Sequence, residues 1–257
     1  MTFSRAPIPH PDYGSRVFRR RIRLEHRDGA VIAGLEDNLH ACRLWLRHDG
    51  VRIDAVQAEW LRQPNRNCAG AIAQLGLLAG RDLTASRAAF RSLDDPRRHC
   101  THLHDLLGLA AAHALRGTAR RDFDVVVPDP RDGITIAEIR VDDRLVHRWR
   151  TDLQQILAPE EARGGTFFRG FGPWSAARWS GDTLEAAAVL QMGIIISGSQ
   201  RMDLDAMRRL HPDIPLVSRE RVNTCYAYQA ERIDTALPTQ GTVRDFTDCP
   251  EAMLAFL

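Results

Sequence analysis

The chain has almost no surplus charge. Its 35 lysines and arginines stand against 33 aspartates and glutamates, a formal net charge of +2. A nucleic-acid binder concentrates basic residues to displace counterions, so nucleic acid is not an expected partner. Long apolar runs are missing too. The longest candidate, Val189 to Ile196, is broken by Gln191 and Gly193. It falls well short of the ~20 residues that a bilayer crossing requires, so no membrane partner is expected. The opening MTFSRAPIPHPDYGS lacks the apolar core of a secretory leader, and its prolines predict an irregular arm. Five cysteines is an odd count without compact spacing. That excludes a disulfide scaffold and leads to the expectation of a reducing, cytoplasmic setting.

Compact motifs are equally scarce. There is no Cys-x-x-Cys and no His-Glu-x-x-His, so any metal site must gather dispersed ligands. No Walker or dinucleotide glycine motif occurs. Gly164-Gly165 and Gly170-Phe171-Gly172 lie in an aromatic stretch, not between a strand and a helix. No nucleotide cofactor is expected.

What the chain does have is strand and helix patterning, given twice. Val17 to Leu24 alternates, His26 to Gly29 turns, and Ala30 to Leu35 returns as a hairpin. Ala41 to Arg47 and Val51 to Trp60 make a second hairpin around His48-Asp49-Gly50. The basic run Arg16 to Arg23 alternates with apolar residues and predicts a solvated strand face. Helices are predicted over Ala69 to Ala79, over Thr84 to Leu93 with Asp82 as cap, and over Thr101 to Leu115 with Thr101 as cap. Gly117 follows the third, as expected at a helix end. The second half starts with Phe123 to Val127 and a hairpin of Ile134 to Val141 with Leu145 to Trp149. An irregular Gly- and aromatic-rich loop, Gly164 to Trp179, precedes a helix capped by Asp182 and a shorter one over Asp203 to Leu210. Cys225 opens a last helical or mixed segment. The fold class is therefore α+β, with two similar antiparallel-sheet-plus-helices halves, residues 1–116 and 117–257, packed together. Ala69 to Leu78 resembles Ala186 to Ile195, which suggests an internal duplication.

The polar chemistry concentrates on His40, Cys68, Cys100 and His102. Cys68 and Cys100 fall at loop-to-helix junctions, where a helix dipole lowers a thiol pKa. If Cys100 is already helical, His104 shares its face. If Cys100 precedes the cap, His102 turns inward instead. Thiolate and neutral imidazole are ligands for zinc or iron. Without metal, the same groups give a nucleophile–base pair, with His40 and His102 as general acid/base residues. Either version requires the four side chains to converge. They are predicted to face a cavity covered by the Gly164–Trp179 loop, with Arg169, Trp174 and Arg178 holding a small-molecule substrate by stacking and charge. The alternative is that the cysteines are buried packing residues. Homodimerisation is left open.

Two resemblances add to this. Leu39-His40, Leu44-Trp45-Leu46, Asp49-Gly50, Cys68, Gly80, Cys100-Thr101-His102-Leu103 and Leu106-Leu107 resemble the family called domain of unknown function 2889. Such proteins are bacterial and often accompany genes for catabolism of aromatic or acyl-CoA compounds. The resemblance therefore implies a lyase or hydrolase of such compounds. The order of hairpin, Cys68 and Cys100-Thr101-His102 is also similar to the U-type iron–sulfur scaffold fold. That similarity implies a metal or iron–sulfur binding protein without turnover. In that alignment His40 falls where the scaffold has a ligand aspartate, and Asn38 replaces its first cysteine. The third site is also altered, from adjacent residues to Cys100 and His102.

Overall fold

The computed structural model describes residues 7–257; the start of the predicted N-terminal arm lies outside the described residues. Eight antiparallel strands form one sheet in the order β4-β3-β2-β1-β5-β6-β7-β8. The first meander is β1 (Val17–Arg27), β2 (Ala30–Asp37), β3 (Ala41–His48) and β4 (Ile53–Arg62). The second is β5 (Arg120–Pro128), β6 (Thr135–Val141), β7 (Arg144–Thr151) and β8 (Ile156–Ala158). The α+β class with antiparallel strands is as expected. The halves are not two packed sheets, however: β1 pairs with β5 from Val17↔Pro128 to Glu25↔Arg120, so one sheet runs through both.

The helices are α1 (Ile72–Leu75), α2 (Arg87–Arg91), α3 (Thr101–Arg116), α4 (Phe171–Ala176), α5 (Gly181–Ser197) and α6 (Leu204–Leu210). Helix α3 lies over β1, β2 and β3, and α5 over β1, β5, β6 and β7. Strand alternation explains which face they cover. Phe18, Ile22 and Leu24 on β1, Val31, Ala33 and Leu35 on β2, and Phe123, Val125 and Val127 on β5 all point the same way and are buried. The opposite face of the first meander is crossed by the C-terminal segment. Leu254 N–H donates to Glu36 Oε2 at 2.7 Å, and Arg43 donates to the Phe256 carbonyl at 2.9 Å. Gly34 leaves room for Leu257 there, whose Cδ1 would lie 2.5 Å from an added Cβ. Among the described residues no helix is long and apolar enough to cross a membrane.

Several local expectations need correction. The stretch expected as one helix over Ala69 to Ala79 is two 3₁₀ turns, Arg66–Ala71 and Gly76–Leu78, around the single α turn of α1. It is not the counterpart of α5, a regular helix of 17 residues. Ser86, not Asp82, caps α2 by accepting from Ala89 N–H. Cys100, not Thr101, holds the N-cap position of α3. Ser180 precedes α5, and Asp182 instead pairs with Arg116 and Arg121. The Gly164–Trp179 loop contains α4, and the segment opened by Cys225 is irregular, with 3₁₀ turns at Tyr226–Tyr228, Ile233–Thr235 and Pro250–Ala252 and no α-helix. The basic run is not a solvated face. Arg21 and Arg23 pair across the sheet with Asp124 and Asp122, while Arg20 is buried on the core side.

Candidate active site

Strand β2 ends at Asp37, in phase with the core-facing Leu35 and Ala33. The carboxylate Oδ1 accepts from the backbone N–H of Leu39 and His40, each at 2.8 Å, closing the β2–β3 turn. That turn delivers His40 beside its own anchor. His40 Nδ1 lies 3.0 Å from Asp37 Oδ1. An ionised carboxylate only accepts, so Nδ1 carries a proton and, in the neutral ring, Nε2 is the nitrogen with the lone pair. Opposite Asp37 in the β1–β2 register stands Arg20, which donates to Asp37 Oδ2 from Nε at 3.0 Å and from its terminal nitrogen at 2.6 Å.

The N-terminus of α3 brings the second imidazole. Cys100 keeps an extended backbone (φ −68°, ψ 126°) as N-cap, so the helix begins after it. His102 turns inward and stacks on His40, with ring centroids 3.8 Å apart and planes 29° from parallel. His104 points elsewhere, against Phe90 and His99. Cys100 Sγ lies 4.0 Å from His102 Nδ1, and His102 Nε2 has no hydrogen-bond partner.

Burial sets the electrostatics. It would raise the Asp37 carboxyl, but His40 and Arg20 outweigh it and hold the group well below the usual carboxylate range. Burial, with His40 and Arg20 beside it, keeps His102 well below the usual imidazole range, hence neutral at pH 7. The thiols are not activated. Burial pushes Cys68 up to about 12 and Cys100 well above its ordinary value, the latter helped by Cys68 and Cys225. Cys68 sits within a 3₁₀ turn, not at the start of an α-helix, so no helix dipole offsets its desolvation.

Of the four residues expected to converge, His40 and His102 are in contact and Cys100 adjoins them. Cys68 neighbours Cys100 electrostatically. The metal-sized group among the described residues is a different one. Ligand atoms of Asp37, His40 and His102 all lie within 4.8 Å of one another, and neither thiol belongs to that set. Asp37 and Arg20 were the residues that sequence reasoning missed. Their signal was phase: each is a charged residue on the core face of its strand.

The predicted lid is elsewhere. Phe167, Phe171 and Trp179 pack on Trp149 of β7, and Gln191 of α5 donates to the Phe167 carbonyl. Trp174 is half-buried, and Arg178 stacks on its ring at 4.4 Å and donates to its carbonyl, so this pair is satisfied within its own segment. Arg169 is exposed, and its carbonyl accepts from Thr166. These three residues lie in the segment between β8 and α5, not beside the imidazole pair. No family model matches the chain, and no curated protein matches it.

Proposed function

We propose that Asp37, His40 and His102 are the acid/base centre of a small-molecule enzyme, a lyase or hydrolase acting on aromatic or acyl compounds. One observation carries the reading: the His40 ring is held by a buried carboxylate at 3.0 Å and stacked on a neutral imidazole. The carboxylate fixes the tautomer and stabilises the imidazolium that forms when Nε2 takes a proton. Neutral His102, with Nε2 unpartnered, is placed to exchange a second proton. Cys100 is not the nucleophile in this reading. Its thiol is protonated, and 4.0 Å exceeds the reach of a working nucleophile–base hydrogen bond.

A second reading is metal binding by the same triad, zinc or iron, because its ligand atoms lie close enough. Two features count against it. Both Asp37 oxygens already accept bonds, one of them from Arg20. The imidazole lone pair lies in the ring plane, and two near-parallel rings 3.8 Å apart do not aim theirs at one point.

The pieces that carry the resemblance to domain of unknown function 2889 include Leu39-His40 and Cys100-Thr101-His102, which meet at this site. That supports reading the chain with that family. The repeated order of four strands and a covering helix supports an internal duplication whose helical counterparts are α3 and α5.

The test is a turnover screen of untagged protein against aromatic acids, their dimers and acyl thioesters, with His40→Gln and His102→Gln alongside. Turnover by the wild type that falls roughly 10²- to 10⁴-fold in folded His40→Gln supports the acid/base reading. An inactive wild type that carries stoichiometric metal, lost in His40→Gln, supports the triad as a metal site.

A further inference from the structure

An irregularity at the end of β4 re-aims its last residue. Trp60 pairs with Cys42, but Arg62 pairs with Ala41, so Leu61 is the extra residue of a bulge. Leu61 is left exposed, and Arg62 joins the row in which Ala41 also pairs with Glu36. That row lies on the face of the sheet away from the core, out of phase with Asp37. Ala41 has only a methyl group, so the guanidinium reaches across it. Arg62 Nη2 donates to Glu36 Oε1 at 2.8 Å, and both side chains are buried. The C-terminal segment closes over the pair. Leu254 N–H donates to Glu36 Oε2 at 2.7 Å, and Arg62 Nη1 donates to the Thr242 carbonyl at 2.9 Å.

The same guanidinium holds the turn that carries His40. Arg62 Nη2 also donates to the Asp37 carbonyl at 2.8 Å and to the His40 carbonyl at 3.3 Å. Asp37 N–H closes the turn on the His40 carbonyl at 2.9 Å. The first and last residues of the turn are thus tied to one planar, always charged fork. Between them, the Asn38 carbonyl accepts from Arg244 N–H at 2.9 Å. On the opposite face of the sheet the His40 ring meets the Asp37 carboxylate and His102. Those two ring contacts need one backbone conformation of the turn, and Arg62 is the side chain that bonds both of its ends.

We propose that Arg62 is a positioning residue of the acid/base centre. Clamped by Glu36 and by the Thr242 carbonyl, it fixes the Asp37–His40 turn from behind, so that His40 Nδ1 stays on the Asp37 carboxylate and the ring stays stacked on His102. The inference rests on the acid/base reading of His40. It adds that the C-terminal segment, which bonds Arg62, Glu36 and Asn38, is part of what makes the site competent.

The experiment reads the histidine rings of full-length protein carrying isotope-labelled histidine, by long-range proton–nitrogen correlation across a pH titration. In the wild type the neutral His40 ring should show the Nδ1–H tautomer alone. Arg62→Met strands the buried Glu36 carboxylate and can unfold the protein, so the double variant Arg62→Met with Glu36→Met is read beside it. That change removes both charges of the buried pair and leaves the Asp37 and His40 carbonyls unclamped. In the folded double variant His40 should become a mixture of tautomers. His147, fixed by the Thr183 carbonyl in the second meander, should keep its signals. Arg62→Lys should fall between wild type and double variant, because an ammonium bonds as a point charge and lacks the fork. On any substrate found by the turnover screen, kcat of the double variant should fall about 10- to 100-fold with KM little changed. An unchanged His40 tautomer in the folded double variant overturns the proposal. So does a wild type whose neutral His40 ring already samples both tautomers. The tautomer is read without substrate, so failure of the turnover screen and failure of the clamp are told apart.

Discussion

Arg20 and Asp37 face each other across β1 and β2, and their salt bridge is buried, with side chains 3% and 0% exposed. Such a pair holds the imidazole site in place at a cost. Two charges have been taken out of water, and each is tolerable only because the other is there. Asp37→Asn alone should destabilise the fold by about 3–5 kcal/mol, since it strands a buried guanidinium. Asp37→Asn combined with Arg20→Met should cost clearly less than the two single changes added together. Urea unfolding of the four proteins in this cycle measures the coupling. Additive effects would mean that the bridge does not hold the turn carrying His40.

Thiol reactivity tests the burial of the cysteines directly. In reduced, metal-free protein the half-buried Cys249 and Cys225 should alkylate first. Cys68, with its pKa near 12, has a thiolate fraction of about 10⁻⁴ at pH 8 and should lag far behind. Peptide mapping after timed iodoacetamide treatment gives the order. Fast labelling of Cys68 or Cys100 would restore the activated-thiol view.

The strands were legible in the sequence because period-two alternation survives wherever one face is buried. Val17 to Leu24 and Ala41 to Arg47 show it plainly, and both are strands. The same alternation held the missed residues. Arg20 is in phase with Phe18 and Ile22, and Asp37 with Leu35. Reading a charge as solvated by default hid the pair that anchors His40. The join between the halves was not legible, because no local pattern says that β1 will pair with β5 across a long intervening stretch. Small-residue composition misled at Ala69 to Leu78. It looks like α5, but it folds into tight turns against β4.

That contrast is itself testable at the two glycines aligned between those stretches. Gly193 faces β5 so closely that an added Cβ would lie 2.6 Å from Val125 Cγ1, whereas Gly76 has nothing within 4 Å. Gly193→Ala should cost about 1–3 kcal/mol by overpacking. Gly76→Ala, at a helical φ of −60°, should be neutral or stabilise by about 0.4–1 kcal/mol. Thermal midpoints of the two variants decide it. Equal losses at both sites would mean that the two stretches are equivalent after all.

His104 gives the protein a pH dependence that can be assigned to one residue. The side chain is fully buried against Phe90 and His99, and neither ring nitrogen has a hydrogen-bond partner. Burial lowers its pKa from the ordinary value to about 4. The folded state therefore resists a proton that the unfolded chain accepts near pH 6.5. Between those two values the unfolded state binds more protons, so stability must fall as the pH drops from about 6.5 to about 4. Below that window both states are protonated and the loss levels off; above it His104 has no effect. The full loss from this one group is about 3 kcal/mol. Leucine at this position has no proton to bind and no buried nitrogen to leave unpaired. His104→Leu should therefore gain on the wild type progressively as the pH is lowered, with titrating groups remote from His104 cancelling in the difference and only its neighbours Asp105 and His99 adding to it. Urea midpoints of both proteins at several pH values from 7 to 4 give that difference. Parallel curves would show that His104 finds a partner for its proton inside the fold.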